Sequence, residues 1–225
     1  MSFTVRAVLF DLDGTLVDSA PDLCQAMNHV LALRGYPLLA LEQVRHLVGH
    51  GARTLLARGF WGEEATPPPA DPWFEEGVVA FLDYYRVHLA DHTLPYPGAV
   101  QALQQLQQQG LPLGVVTNKP EELALRLLEQ LDLRTCFVQV VGGDTLPQRK
   151  PAPEPLWHLL EPLQIPPHQA LMVGDSATDL EAARAAGCPV VLMRHGYNRG
   201  VAVEQLHPDG VLDHFEQLSH WIRTA

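Results

Sequence analysis

Short apolar runs recur along the chain, and each is followed by turn residues and then by a helical pattern. The clearest runs lie at 7–10 (AVLF), 113–116 (LGVV), 137–141 (FVQVV), 170–173 (ALMV) and 190–193 (VVLM). Unbroken β-rich runs are typical of strands buried on both faces, as in a parallel sheet covered by helices on either side. The alternation therefore predicts an α/β fold whose core is a doubly wound parallel sheet.

Residues 16–93 depart from this pattern, because they show helical periodicity but no strong strand signal. Predicted helices lie in that segment at 21–33, 51–58 and 74–89. The proline-rich stretch 66–72 (TPPPADP) predicts a stiff connector. We expect a Rossmann-like core formed by 1–15 and 94–225, with 16–93 inserted after the first strand as a small α-helical cap domain.

The charge balance narrows the classes of partner. The 225 residues include 15 Lys and Arg against 26 Asp and Glu, a net charge of −11. That excess of acid disfavours nucleic-acid binding, which needs a basic face. Three cysteines without metal-ligand spacing, and no apolar run as long as a membrane span, predict a cytoplasmic protein with no membrane partner. A monomer and a homodimer both stay open.

Three aspartates follow predicted strands at the point where each strand ends. Asp11 and Asp13 come directly after the run 7–10, and Asp175 follows the run 170–173. Because the carboxyl ends of parallel strands share one edge of the sheet, we expect these residues to converge. Two anions about 5 Å apart repel by roughly 3 kcal/mol at an effective dielectric near 20, so a cation is expected beside them. Oxygen ligands of this kind suit Mg²⁺.

Lysine is scarce in this chain. The only two, Lys119 and Lys150, lie in loops that follow predicted strands. A lysine ammonium is a compact charge that can hold both a carboxylate and a phosphoryl oxygen. Thr117 and the Asn118 amide offer further donors, and the helix that begins after Asp175 favours an anion at its N-terminus. Together these residues predict a site for a small phosphorylated metabolite.

These residues resemble the four motifs of the haloacid dehalogenase-like superfamily of phosphotransferases. DLDGT at 11–15 is similar to the first motif, and Thr117 in VVTNKP is similar to the second. Lys150 in RKPAPEP resembles the third, and GDSATD at 174–179 resembles the fourth. The motifs occur in the expected order and span nearly the whole chain, so the chain is identified as a member of this superfamily.

The resemblance implies a reaction and a role for each matching residue. Asp11 would be the nucleophile of a Mg²⁺-dependent phosphomonoester hydrolase and would form an aspartyl-phosphate. Asp13 would be the general acid for the leaving oxygen and then the general base for water. Thr117 and Lys150 would hold the phosphoryl group that is transferred.

The resemblance also implies a metal site and its surroundings. Asp11, the carbonyl of Asp13, and Asp175 would hold Mg²⁺. Further residues expected at the site are Thr15 and Asn118, in contact with the phosphate, and Ser176 and Asp179, in support of the metal or of Lys150.

Within the superfamily, four strings resemble members that hydrolyse 2-phosphoglycolate to glycolate and phosphate. They are DSAPDL (18–23), VGHGARTLL (48–56), GGDTLPQRKPAPEPL (142–156) and HGYNRG (195–200). This resemblance implies that the loop of Gly49, His50 and Gly51, with Arg53 beyond it, contacts the substrate. A phosphatase for a sugar or amino-sugar phosphate stays open as an alternative, and so does a sugar phosphomutase.

Overall fold

A six-stranded parallel sheet forms the centre of the computed structural model, which describes residues 2–224. Numbered along the chain, the strands are β1 (Phe3–Val5), β2 (Ala7–Phe10), β3 (Val17–Asp18), β4 (Leu94–Pro95), β5 (Leu113–Val116), β6 (Gln139–Val141), β7 (Ala170–Gly174), β8 (Val190–Met193), β9 (Gly210–Leu212) and β10 (Ile222–Thr224). The central sheet has the order β6-β5-β2-β7-β8-β9, with every neighbouring pair parallel. The predicted doubly wound α/β core is confirmed.

The strand order creates a crevice at one edge of the sheet. From β2 in the middle, the chain runs outwards through β5 and β6, and it then returns to the other side of β2 through β7, β8 and β9. The order therefore reverses between β2 and β7. In open α/β sheets, ligands bind beyond the carboxyl ends of the strands at such a reversal. Asp11 follows β2 and Asp175 follows β7, so the topology brings both residues to this crevice.

Both faces of the sheet are buried, which explains the unbroken apolar runs. In β2, Val8 and Phe10 pack into one hydrophobic cluster, whereas Ala7 and Leu9 pack into another. All four side chains are fully buried. Because neighbouring residues of a strand point to opposite faces, a strand with a cluster on each side needs an apolar residue at every position.

Helices cover the sheet and fill the segment between β3 and β4. They are α1 (Ala20–Leu33), α2 (Leu41–Arg45), α3 (Ala52–Trp61), α4 (Pro72–Val87), α5 (Ala99–Gln108), α6 (Glu121–Gln130), α7 (Glu154–Leu160) and α8 (Ala177–Ala186). The helices predicted at 21–33, 51–58 and 74–89 correspond to α1, α3 and α4 to within a few residues, whereas α2 was not predicted. Helix α2 is too short for a helical period to emerge from the sequence. None of the described helices has the length and apolar character needed to cross a lipid bilayer.

Helices α1 to α4 pack on one another. Helix α1 contacts α2, α3 and α4, and α4 begins at Asp71, whose carboxylate accepts a hydrogen bond from the N–H of Trp73 at 3.0 Å. The chain enters this group of helices through β3 and leaves it through β4. These two strands lie side by side, because they pair in an antiparallel ribbon with Val17 opposite Pro95. The domain boundaries at 16 and 93 stay a prediction, and this ribbon lies close to both.

Asp18 of β3 connects the ribbon to α2 and to the core. Its carboxylate accepts two hydrogen bonds from Arg45, at 2.9 and 2.7 Å, and one from the Tyr197 hydroxyl at 2.6 Å. Burial opposes the ionisation of Asp18, but the bonds from Arg45 and Tyr197 outweigh it and lower the pKa of Asp18 below its ordinary value. The ionised carboxylate therefore stabilises the folded protein.

The Asp18 network makes a prediction for stability. We expect Arg45→Ala to lower the free energy of unfolding by about 1–2 kcal/mol at pH 7, because it removes a bidentate, charge-assisted pair. Since folding lowers the pKa of Asp18, this contribution is present above the ordinary carboxyl pKa of about 3.9 and is lost as the pH falls below it. Urea denaturation of both proteins at pH 7 and at pH 3 measures the difference, which shrinks at pH 3 if the pair is the cause.

The control is Arg126→Ala, which removes an exposed arginine that pairs with Glu122 on the surface. Its expected effect is below about 0.5 kcal/mol. A loss in the Arg45 variant that is equal at both pH values, or no greater than that of the control, would show that Asp18 does not stabilise the ribbon in this way.

Candidate active site

Asp11 lies at the carboxyl end of β2 and faces the crevice. Its N–H donates to the carbonyl of Val173 in β7 at 2.9 Å, which fixes the residue between the two strands. Its Oδ1 accepts a hydrogen bond from the N–H of Leu12 at 2.7 Å and lies 2.9 Å from Nζ of Lys150. No hydrogen bond from the described residues reaches Oδ2. One oxygen of Asp11 is thus held in place, and the other is available to react.

Asp175 follows β7 and is held from two sides. Its Oδ1 accepts a hydrogen bond from the Thr15 hydroxyl at 2.7 Å, and its Oδ2 accepts one from the N–H of Tyr197 at 2.6 Å. Gly14 allows this close approach, because it has a φ of +87° and a Cβ there would lie 2.6 Å from Oδ2. The buried hydroxyl of Thr15 thus positions Asp175, and the expected contact of Thr15 with the phosphate stays a prediction.

Lys150 lies between two buried carboxylates. Its Nζ is 2.9 Å from Oδ1 of Asp11 and 2.6 Å from Oδ1 of Asp179. The second oxygen of Asp179 accepts hydrogen bonds from the N–H and the hydroxyl of Ser176, at 3.1 and 2.7 Å. These bonds form a capping box at the start of α8. Asp179 and Ser176 therefore anchor Lys150 to a helix N-terminus.

Burial and mutual repulsion disfavour the ionised forms of two of these carboxylates. Burial, with the charge of Asp179 added, raises the pKa of Asp11 to about 7 although Lys150 opposes the rise. Burial and the charges of Asp179 and Asp11 hold the pKa of Asp175 well above its usual value. Burial acts on Asp179 as well, but Lys150 outweighs it and holds the pKa of Asp179 below its usual value. Full ionisation of the group therefore needs more positive charge.

The composition of this group fits a divalent cation. Asp11, Asp175 and Asp179 each offer an oxygen within 4.8 Å of the others. With all three ionised and Lys150 protonated, the four side chains carry a net charge of −3 + 1 = −2. Oxygen donors with excess negative charge suit Mg²⁺. Of the predicted ligands, Asp11 and Asp175 meet here. The carboxylate of Asp13 pairs with Lys119 instead, and the role of its carbonyl as a ligand stays a prediction.

The carboxylate of Asp13 pairs with Lys119. The Lys119 ammonium lies 3.0 and 3.3 Å from the two oxygens of Asp13, and it also donates to the Tyr85 hydroxyl on α4 at 2.6 Å. Lys119 and Tyr85 are both buried. The sequence predicts that Lys119 lies at the site but gives it no separate role, and it predicts no role for Tyr85. The scarcity of lysine was a signal for Lys119, since both lysines of the chain lie at this site, but nothing in the sequence singles out Tyr85.

Thr117 and Asn118 follow β5 and border the same crevice. The Thr117 side chain is buried, and its hydroxyl oxygen accepts a hydrogen bond from the N–H of Lys119 at 3.2 Å. The Asn118 amide donates to the carbonyls of Gly49 and Lys150, at 3.1 and 3.0 Å. Asn118 therefore connects its own loop after β5 with the loop that contains Gly49 and with the loop that contains Lys150.

A small cleft opens between the strand ends and the helices α1, α3 and α4. Its volume is about 50 Å³. The strand ends contribute Asp11, Asp13, Thr117, Asn118 and Lys119, and the opposite wall contains Leu23, Gly49, Gly51, Leu55, Phe81 and Tyr85. The reactive polar groups are thus concentrated on one wall, while the facing wall is largely apolar.

Two residues expected at the substrate, Arg53 and His50, have other partners in this structure. The guanidinium of Arg53 pairs with the carboxylate of Glu75 on α4 and lies 5.3 Å from the ring centre of Phe74. Arg53 is not among the residues that line the cleft, and its contact with the substrate stays a prediction. His50 borders a separate groove on the far side of its loop, and its Nδ1 lies 3.4 Å from Nη1 of Arg58. Gly49 and Gly51, on either side of His50, line the cleft, whereas His50 does not.

Comparison with known families agrees with the four motifs. The model of the haloacid dehalogenase-like hydrolases matches residues 8–193. This range contains all but the first residue of β2, the strands β3 to β8 and every helix from α1 to α8. The chain belongs to the haloacid dehalogenase-like hydrolase family, as the resemblance predicted.

The chain is similar over most of its length to proteins named phosphoglycolate phosphatase and to solved structures of the same fold. The phosphoglycolate phosphatase of Chromobacterium violaceum is 47% identical over 193 residues, which cover 86% of each protein. That of Thiobacillus denitrificans is 40% identical over 222 residues, 98% of this chain and 97% of the relative. The crystal structure of a predicted phosphoglycolate phosphatase from Haemophilus somnus has a TM-score of 0.90 at 34% identity, covering 96% of this chain and 97% of its own. CbbY from Rhodobacter sphaeroides, crystallised with phosphate, has a TM-score of 0.79 at 25% identity and 96% coverage of both chains.

Proposed function

We propose that the protein is a Mg²⁺-dependent phosphatase that hydrolyses 2-phosphoglycolate to glycolate and phosphate. The observation that carries the proposal is the arrangement around Asp11. Its Oδ2 is available, its Oδ1 is held by Lys150, and Asp13 lines the same cleft. A nucleophile, a cation for the phosphoryl group and an acid–base group are thus close together. The names of the full-length relatives support the choice of substrate.

In the first half of the reaction, Oδ2 of Asp11 attacks the phosphorus atom of the ester. The bond between phosphorus and the bridging oxygen breaks, and Asp13 donates a proton to that oxygen as glycolate leaves. Lys150 keeps Oδ1 in place, so the attack requires no reorientation of the carboxylate. The Thr117 hydroxyl and the Lys150 ammonium stabilise the negative charge on the phosphoryl oxygens.

In the second half, a water molecule attacks the phosphorus of the aspartyl-phosphate. Asp13, which has lost its proton, takes one from the water. The bond between phosphorus and Oδ2 then breaks, and the products are inorganic phosphate and the free carboxylate of Asp11. One residue can act first as an acid and then as a base because each step restores the protonation state that the next step needs.

Asp11, Asp175 and the carbonyl of Asp13 are the groups that would hold Mg²⁺. When bound, the ion supplies positive charge that offsets the carboxylates and the phosphoryl oxygens. Thr15 and Tyr197 orient Asp175 for this purpose through their hydrogen bonds of 2.7 and 2.6 Å.

The lining of the cleft supports a short ester over a sugar phosphate. Leu23, Leu55 and Phe81 on the facing wall offer no partner for hydroxyl groups, and a sugar hydroxyl buried there without a hydrogen bond would weaken binding.

Phosphate release from a panel of phosphomonoesters tests this function. The panel contains 2-phosphoglycolate, several sugar phosphates, an amino-sugar phosphate, a nucleotide and pyrophosphate, each with Mg²⁺ and with EDTA. We expect 2-phosphoglycolate to have the highest kcat/KM, and EDTA to reduce its hydrolysis to background. Preference for a sugar phosphate would reject the substrate, full activity in EDTA would reject the metal, and no release from any ester would reject the phosphatase.

A further inference from the structure

We infer that Lys119, with the Tyr85 hydroxyl beside it, binds the carboxylate of the substrate and restricts the enzyme to phosphomonoesters of small 2-hydroxy acids. This inference rests on the proposed function, because it takes Asp11 as the nucleophile that attacks phosphorus and Asp13 as the proton donor. It assigns specificity to a pair of residues on opposite walls of the cleft, at the end of β5 and on α4.

Lys119 supplies the charge that an acidic substrate needs. Among the described residues that line the cleft, it is the one basic side chain. Its ammonium has three N–H donors, and it contacts Oδ1 of Asp13 at 3.0 Å, Oδ2 of Asp13 at 3.3 Å and the Tyr85 hydroxyl at 2.6 Å. The 3.3 Å contact is the longest of the three, and it is the one that a substrate carboxylate would replace. Lys150 is already shared between Asp11 and Asp179, so Lys119 is the cation suited to a second anionic group.

The distance from the reacting atoms fits a carboxylate on the neighbouring carbon. Asp13 must come within hydrogen-bond reach of the bridging oxygen to protonate it. Nζ of Lys119 lies 3.0 Å from Oδ1 of Asp13. In the ester of a 2-hydroxy acid, one carbon atom separates the bridging oxygen from the carboxylate. A substrate placed for attack by Asp11 therefore carries its carboxylate towards Lys119.

Tyr85 adds a second donor at the same place. Its oxygen accepts the 2.6 Å hydrogen bond from Lys119, which leaves its own proton for a ligand. Burial raises the pKa of Tyr85 above its ordinary value, so the hydroxyl keeps that proton. The N–H of Lys119 and the O–H of Tyr85 can then each meet one carboxylate oxygen. Phe81 and Leu55 line the cleft nearby, and their apolar surface strengthens charge pairing by keeping water out.

The wild-type enzyme tests the inference without any substitution. We compare kcat/KM for 2-phosphoglycolate with that for 2-phosphoglycolamide. The amide has the same shape and the same leaving oxygen, but a neutral amide group replaces the charged carboxylate. The carboxylate is expected to be preferred by about 100-fold or more, because the amide leaves Lys119 without an anionic partner. Equal values overturn the inference while the phosphatase stands. No hydrolysis of either ester overturns the proposed function and this inference together.

Substitutions then locate the preference. Lys119→Met is expected to lower the carboxylate-to-amide ratio of kcat/KM by about 100-fold, and Lys119→Arg is expected to retain most of it. The ratio separates charge recognition from any general loss through Asp13, which affects both esters alike. An unchanged ratio in Lys119→Met overturns the inference.

Neighbouring tyrosines on α4 supply a matched pair that preserves Lys119. Tyr85→Phe is expected to lower the carboxylate-to-amide ratio by about tenfold through loss of one hydroxyl, mainly by raising KM for 2-phosphoglycolate. Tyr84→Phe serves as the control, since Tyr84 is not part of the cleft and stacks on His29. Equal ratios in the two variants overturn the part of the inference that concerns Tyr85. This pair also keeps the test open if Lys119→Met fails to fold.

Discussion

Asp11→Asn is expected to reduce phosphate release by about 10⁴-fold or more while the protein stays folded. The amide has nearly the same shape as the carboxylate, but it cannot attack phosphorus and form the aspartyl-phosphate. Steady-state phosphate release from 2-phosphoglycolate with saturating Mg²⁺ measures the loss. The matched control is Asp83→Asn, which changes an exposed aspartate on α4 and is expected to leave kcat/KM unaltered.

The stability of Asp11→Asn shows whether the variant loses activity because the nucleophile is missing or because the protein unfolds. Burial raises the pKa of Asp11 to about 7, so the ionised side chain becomes increasingly destabilising as the pH rises from about 4 through 7. Without Mg²⁺, Asp11→Asn should therefore be at least as stable as the wild type at pH 8, by urea denaturation. Retained turnover would reject Asp11 as the nucleophile, and unfolding of the variant would reject the electrostatic description of the site.

Lys150→Met is expected to have the second-largest effect. The substitution removes the cation between Asp11 and Asp179, which lie 2.9 and 2.6 Å from Nζ. Two buried carboxylates are then left without their partner, which costs about 3–5 kcal/mol of stability. Loss of charge at the phosphoryl group should reduce kcat by about 10²–10³-fold. Urea denaturation and phosphate release measure the two effects separately.

Arg126→Met is the control for Lys150→Met, because it removes a positive charge from an exposed position on α6. Mg²⁺ provides a further test, since a cation bound to Asp11 and Asp175 should recover part of the stability that Lys150→Met loses. The variant would contradict the description of the site if it matched the control in both stability and activity. It would also do so if Mg²⁺ left its stability unchanged.

The sheet could be predicted from the sequence because burial on both faces requires an unbroken run of apolar residues in each strand. Every residue of β2 is apolar and fully buried, so the run 7–10 has the same bounds in the sequence and in the structure. The strands β3 and β4 have two residues each and form by pairing with one another. Such a pair depends on contacts between distant segments, which a local pattern does not contain.

The strand ends of the candidate site were predictable for a related reason. Topology alone brings the residues after β2 and β7 together, and with them Asp11 and Asp175. The opposite wall depends on how α3 and α4 pack. Arg53 was expected at the substrate, but Glu75 binds its guanidinium. Tyr85 contributes to the site through Lys119, which lies 34 positions away in the chain, and no local pattern predicts that contact.

Phosphorylation of Asp11 during turnover is the central claim, and trapping the acyl phosphate tests it most directly. Wild-type enzyme turning over 2-phosphoglycolate with Mg²⁺ is quenched in acid and treated with borohydride, which reduces an acyl phosphate to an alcohol. Mass spectrometry of the peptide that contains residue 11 then locates the change. We predict a reduced side chain at position 11 in the wild type and none in Asp11→Asn. Rapid phosphate release with an unmodified Asp11 at every quench time would contradict the proposed mechanism.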